Sequence, residues 1–166
     1  MPGWGRLVPT DTIPVSTEAA LQLQADIDAA IEQAQQSGEI TIVIDEVELT
    51  SLVTFELLKI QEPRILEPQI YLRDGQVLIY AKLQQGNVSS PLQLIMNVRA
   101  DENGYPEYEV VTALLGPVSF ADSILTQLKD HLDSIILEKI RSQPNRIFIK
   151  SIEIANGLLT IQGQTR

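Results

Sequence analysis

The chain has 166 residues, a formal net charge of −10 at pH 7 and no cysteine. The negative charge argues against electrostatic binding to nucleic acid or to anionic lipid headgroups, because both partners require a clustered cationic surface. The absence of cysteine excludes disulfides, thiol catalysis and cysteine-based zinc sites. Hydrophobic residues make up 44% of the chain and aromatic residues only 5%, which predicts one domain with an aliphatic core.

Residues 1–15 are predicted to form a linker or tail, and residues 16–166 a single α+β domain. Pro9 and Pro14 disfavour helix in the residues before them. Trp4 lies between two glycines, and tryptophan favours the membrane–water interface, so this tail is also a candidate juxtamembrane stalk. No run of residues approaches the roughly 20 apolar positions of a membrane-spanning helix. Two locations stay open: the cytoplasm, or the outer side of a membrane to which an anchor missing from this chain tethers the domain.

Two helices and a strand are predicted in the first part of the domain. Residues 16–36 carry apolar side chains at helical spacing, and Gly38 follows as a helix stop. Residues 39–44 are β-branched and alternate in polarity, which predicts a strand. Asp45, with Glu48 at the reciprocal position of a capping box, then begins a second helix.

From residue 69 onward, alternating apolar residues predict an antiparallel meander and a final hairpin. Asp-Gly at 74–75 and Asn-Gly at 156–157 are strong hairpin signals, because both dipeptides accept the positive φ of a tight turn. In the last hairpin the phase of the alternation changes near residues 150–151. This change predicts a β-bulge, or a strongly coiled strand, at that point.

A long amphipathic helix is predicted over residues 119–140. Ser119 and Asp122 resemble a capping box, and the Gly-Pro pair at 116–117 ends the strand before it. A single apolar stripe at helical spacing continues through the whole segment. Every predicted strand could pack against this stripe, and the order of elements indicates the α+β class with a mostly antiparallel sheet.

Four segments carry a likeness to a known family: DEVELTSLV at 45–53, LRDGQVLIYAKL at 72–83, LLGPVSFADSIL at 114–125 and SIEIANGLLTIQGQ at 151–164. In this order they resemble segments of YpmS-like and LmeA-like bacterial envelope proteins. Each segment is mainly apolar alternation around a glycine, and their shared order carries the resemblance. A second proline that the family has after the glycine of the helix entry is missing here.

The resemblance implies a fold and a location. The fold would be a half-module of the tubular lipid-binding type: a curved, mostly antiparallel sheet wrapped around the long C-terminal helix, with the two N-terminal helices beside it. An apolar channel would run between sheet and helix. The resemblance also implies an N-terminal membrane anchor, absent from this chain, and an extracytoplasmic domain. It transfers no catalytic residues.

Catalytic and metal sites find little support in the sequence. His131 is the single histidine, so a nitrogen- or sulfur-rich metal site is disfavoured. No nucleophile elbow, phosphate-binding loop or dinucleotide-binding turn occurs. Acidic groups at 45–48 and 101–102 could act as general acids and bases, but they stand where a helix cap and a polar turn belong. We predict no enzyme activity, no cofactor and no metal.

The leading hypothesis is a non-enzymatic domain that binds a lipid or another apolar small molecule. The sheet residues predicted to line the site are Val77, Ile79, Leu92, Leu94, Met96 and Val98. The helix residues predicted to face them are Leu125, Leu128, Leu132 and Ile136. In the alternative, the same residues form a solid core, and the chain is an envelope structural or protein-interaction module that could oligomerise. An enzyme using the acids near 45–48 is the third possibility.

Overall fold

The computed structural model describes residues 12–59, 64–116, 118–119 and 147–165, together with the isolated residues 126 and 130. This part of the chain forms two helices and eight strands. In chain order they are α1 (Thr17–Ser37), β1 (Glu39–Asp45), α2 (Glu46–Leu57), β2 (Arg64–Arg73), β3 (Gln76–Gln85), β4 (Val88–Ala100), β5 (Pro106–Leu115), β6 (Val118–Ser119), β7 (Ile147–Ala155) and β8 (Leu158–Thr165).

The strands form two separate antiparallel sheets. Strands β2 to β6 make a five-stranded meander in sequence order. The three-stranded sheet has the order β1-β8-β7, so β8, the last of the described strands, is its centre. The predicted meander and the hairpins at 74–75 and 156–157 are confirmed, and both turns place their glycine at positive φ.

The predicted architecture, one curved sheet wrapped around a long C-terminal helix, is wrong. The α+β class holds, but the strands divide into two sheets, and the described C-terminal residues 147–165 are strands. Ser119, predicted to cap the long helix, lies in β6 and pairs with Leu114. The rest of the predicted helix lies outside the described residues, apart from positions 126 and 130. The physical reason is that the final hairpin pairs with β1 and does not extend the meander, and alternation alone does not specify a strand's partner.

Helix α1 begins and ends as its sequence predicts. The Ser16 side chain accepts a hydrogen bond from the Ala19 backbone N–H at 3.2 Å, which satisfies one free donor of the first turn. Gly38 adopts the left-handed conformation, and its N–H donates to the Ala34 carbonyl. The apolar stripe faces the core through Ala20, Leu23, Ile27, Ile31 and Ala34.

Helix α2 begins with the predicted capping box. The Asp45 carboxylate accepts from the Glu48 N–H at 2.7 Å, and the Glu48 carboxylate accepts from the Asp45 N–H at 3.0 Å. Each acid thus satisfies a backbone donor, and both negative charges lie at the positive end of the helix dipole. The acidic residues near 45–48 therefore hold the helix start.

Glu48 gives a pH-dependent prediction. Burial raises the pKa of its carboxyl above the ordinary value of 4.5, and the neighbouring Asp45 charge acts in the same direction, against the hydrogen bond from the Asp45 backbone. The folded chain therefore holds this proton more tightly than the unfolded chain. The resulting stabilisation is present at acidic pH and is lost as the pH rises through the folded pKa.

Glu48→Gln keeps a side-chain acceptor for the Asp45 N–H and removes the titration. We expect the stability of the wild type relative to this variant to fall as the pH rises from below 4.5 to neutrality. Urea unfolding of both proteins at several pH values measures the difference. A difference that stays constant, or grows with pH, would contradict the assignment.

The last hairpin contains the predicted bulge. The pairing of β7 with β8 shifts between Ile149 and Ser151, so Lys150 has no direct partner. The shift places the isoleucines on both sides of the bulge on the same face of the sheet. Gly163 of β8 lies opposite Ile40 on one side and Ile149 on the other.

Gly163 lies where the backbone of β7 and two isoleucine side chains approach β8 closely. A Cβ atom at this position would lie 2.8 Å from the Phe148 carbonyl oxygen and 3.1 Å from the Cγ2 atoms of Ile147 and Ile40. Backbone and two β-branched side chains therefore leave no room for a side chain. Glycine is required here by packing, since its φ lies outside the left-handed range.

One main core joins the helices to the inner faces of both sheets. Its fully buried members include Leu23 and Ile27 of α1, Leu94 of β4, and Ile161 of β8. A second group, the outer cluster, lies on the opposite face of the five-stranded sheet and comprises Ile13, Tyr71, Leu78 and Ile95. The five-stranded sheet is therefore apolar on both faces.

Helix α2 covers the outer edge of β2. The Thr50 hydroxyl accepts from the Ile70 N–H at 3.1 Å and is 3.4 Å from the Ile70 carbonyl, to which it donates. Two residues farther along β2, the Leu72 N–H donates to the Glu46 carboxylate at 2.8 Å. The same carboxylate contacts the Arg73 guanidinium. These side chains replace a neighbouring strand, so this edge is not open to pairing with another chain.

Candidate functional site

The predicted sheet residues come together on one face of β3 and β4. Val77 pairs with Met96 and Ile79 with Leu94, so four of the six form two adjacent cross-strand pairs. Leu92 follows on the same face of β4, and Val98 lies on that face beyond Met96. The antiparallel register thus gathers all six, as alternation along each strand requires.

These six side chains belong to the core. Five are at most 9% exposed, and Val98 is half-buried against them. They share one continuous cluster with apolar residues of α1, α2, β1, β7 and β8. Four further predicted residues lie outside the described part of the chain: Leu125, Leu128, Leu132 and Ile136. In the described structure the sheet residues therefore stabilise the fold by mutual packing.

A pocket of about 200 Å³ lies beside these strands, and residues from both faces of the sheet contribute to its lining. We call it the Gln93 pocket. Its lining is formed by Tyr80, Ala81, Pro91, Leu92, Gln93, Leu114 and Gly116. The side chains of three strands contribute because Gln93 of β4 pairs with Tyr80 of β3 and with Leu114 of β5.

A backbone hydrogen bond joins two residues that line the Gln93 pocket, Gly116 and Pro91. Gly116 follows β5 at a φ of +61°, a conformation that glycine adopts without strain. Its N–H donates to the Pro91 carbonyl at 2.6 Å. Because proline has no backbone N–H, Pro91 offers no backbone hydrogen-bond donor to the pocket.

Gln93 is an unusual residue for a protein interior. It is only 5% exposed, and its amide oxygen has no hydrogen-bond partner within the described part of the chain. A buried acceptor without a donor costs about 1–3 kcal/mol relative to a satisfied one. Gln93 therefore gives the pocket lining a buried polar atom that has no hydrogen-bond partner in the described part of the chain.

Tyr80 supplies the second polar group of the pocket. Burial raises the pKa of its phenol above the ordinary value of 10.0, while a hydrogen bond with Gln93 acts to lower it. The phenol is therefore uncharged at neutral pH. Its ring packs edge-on against Tyr71 at 5.9 Å between centroids, and the Arg73 guanidinium lies 5.7 Å from the centre of the Tyr71 ring. These contacts hold the Tyr80 ring in place.

The described residues contain neither a metal-binding group of side chains nor a helix that could span a membrane. No group of three or more histidine, cysteine, aspartate or glutamate side chains there could hold a metal ion. Among the helices described, none has the length and apolar character needed to cross a membrane. His131 lies outside the described residues.

Sequence reasoning did not find the Gln93 pocket. Gln93 stands between Leu92 and Leu94 in the alternating sequence of β4, and a polar residue in such a pattern normally faces solvent. A usable signal was present on β3, where Leu78 and Tyr80 make the same side of the sheet apolar. A glutamine opposite a tyrosine on that side is a candidate for a buried polar pair.

Comparisons with protein-family models, with curated proteins and with solved structures find no match for this chain. The resemblance to YpmS-like and LmeA-like envelope proteins therefore stays a prediction from the four sequence segments.

Proposed function

We propose that the chain is a non-enzymatic binding domain for a small apolar ligand, and that the ligand occupies the Gln93 pocket. The observation that carries the proposal is the buried, unpartnered amide oxygen of Gln93 in the lining of a mainly apolar pocket. Buried polar atoms in native proteins nearly always have a partner, and an exception in a pocket wall is a candidate ligand contact.

The volume of the pocket limits how much of a ligand can be buried in it. At about 30 Å³ for each water-sized group, 200 Å³ holds about six such groups. Burying about six methylenes contributes on the order of 5 kcal/mol before ordering costs. We therefore expect dissociation constants in the millimolar range for six-carbon probes, since about 4 kcal/mol corresponds to 1 mM.

The test uses 1-hexanol and its isomer methyl pentyl ether with the isotopically labelled full chain. We expect saturable shifts in ¹H–¹⁵N spectra at Tyr80, Gln93 and Leu114. Leu114→Phe fills the pocket and should abolish these shifts. Val111→Phe, on the same strand at an exposed position, is the matched control and should leave them unchanged. If neither probe gives saturable shifts there, the proposal is wrong.

A second candidate is a structural or protein-interaction module of the cell envelope. The observation that favours it is the burial of Val77, Ile79, Leu92, Leu94 and Met96 in a packed core. This candidate predicts no uptake of either probe and a stable oligomer in chromatography with light scattering. The extracytoplasmic, membrane-tethered location implied by the resemblance stays a prediction under both candidates.

A further inference from the structure

We infer that the Gln93 pocket selects neutral ligands that carry a hydrogen-bond donor, such as a hydroxyl or amide N–H, over purely apolar ligands of the same size. The inference rests on the proposed function and specifies its ligand. The feature that selects is the amide oxygen of Gln93, which accepts from the donor.

Among the lining side chains, the Gln93 amide oxygen is the buried acceptor that has no hydrogen-bond partner in the described part of the chain. Only two of the seven lining residues, Tyr80 and Gln93, have polar side chains. The Gln93 amide already hydrogen-bonds the Tyr80 phenol, while its oxygen has no partner in the described part of the chain. An amide oxygen accepts and never donates. The complementary ligand group is therefore a donor.

The lining of the pocket carries no charge, and we therefore expect it to prefer neutral ligands. None of the seven lining residues is ionisable at neutral pH, so a charged headgroup would lose its hydration without gaining an opposite charge. A carboxylate is disfavoured further, because both of its oxygens are acceptors and would face the Gln93 oxygen. The ligand class is thus a neutral alcohol or amide with a short apolar body.

The experiment compares two isomers that differ in one property. 1-Hexanol has a hydroxyl donor, and methyl pentyl ether has the same atoms but only an acceptor. Titrated into the labelled full chain at pH 7, the alcohol should bind about tenfold more tightly than the ether. Hexanoate, with the same chain length and a charged head, should bind more weakly than the alcohol.

The variant Gln93→Met keeps the length of the side chain and removes the acceptor. In this variant the order should reverse, because the alcohol would then lose a hydrogen bond to water without replacement, whereas the ether has no donor to leave unpaired. Gln162→Met, at an exposed position of β8, is the control and should keep the preference of the wild type. The comparison of isomers in the wild type stands even if Gln93→Met does not fold.

The outcomes separate the two claims. Tighter binding of the alcohol in the wild type supports the inference. Equal binding of the isomers, or tighter binding of the ether, overturns the inference and leaves the proposed function standing. Absence of binding by both isomers overturns the proposed function itself.

Discussion

Replacing Leu94 with alanine is expected to lower the free energy of unfolding by about 2–5 kcal/mol. Leu94 is 0% exposed and lies in β4, between Ile79 of β3 and Ala113 of β5. Truncation removes apolar surface from the core and leaves a cavity that a packed sheet closes only in part. Urea unfolding followed by circular dichroism measures the loss.

The matched control is Val88→Ala, in the same strand but 66% exposed. Its effect should stay within about 0.5 kcal/mol, as is usual for exposed positions. Leu94 was predicted to line a ligand site, and the result bears on that role. If Leu94→Ala costs less than about 1 kcal/mol, the Leu94 side chain faces an open space and does not belong to a packed core.

Gly163→Val is expected to lower the free energy of unfolding by about 3 kcal/mol, at the upper end of the usual cost of overpacking. The added Cβ alone would lie 2.8 Å from the Phe148 carbonyl oxygen. That oxygen belongs to the neighbouring strand, so it cannot move without disturbing the pairing of β7 with β8. Thermal and urea unfolding both report this loss.

Thr160→Val is the control for this substitution. It introduces the same side chain into the same strand, at a half-buried position opposite Val43 and Glu153. Valine is favoured in strands, so the control should be close to neutral. Equal costs at the two positions would show that the contact with the Phe148 carbonyl oxygen does not decide the effect at Gly163.

Local features of the fold could be predicted because their causes are local. The capping box requires only Asp45 and Glu48, three residues apart, and the helix stop requires only Gly38 after the apolar stripe. The bulge near residue 150 was visible as a change in the phase of the isoleucines. In each case the decisive interactions join residues close in sequence.

Strand partners could not be predicted, because they depend on distant segments. The alternation in β8 identifies its inward face, but the same pattern fits a meander or a separate sheet. Only the pairing with β1 makes β8 a central strand. The C-terminal hairpin was therefore assigned to the wrong sheet, although each of its strands was identified.

The candidate site was missed for a related reason. In the sequence, Gln93 alternates with buried leucines, which is typical of a residue that faces solvent. Its cross-strand neighbours are Tyr80 and Leu114 on two other strands, and the pattern within one strand does not identify them. The predicted sheet residues were correctly placed on one face, but alternation does not distinguish a ligand-lined face from a packed one.

The pairing of β1 with β8 has a consequence for how the protein is made. The Thr165 N–H donates to the Gly38 carbonyl, two residues 127 positions apart. During synthesis β1 leaves the ribosome long before β8 has been made. The apolar face of β1 is therefore exposed until β8 can pair with it. We therefore expect the five-stranded meander to form first, and the smaller sheet to close only once β8 has been synthesised and can pair with β1.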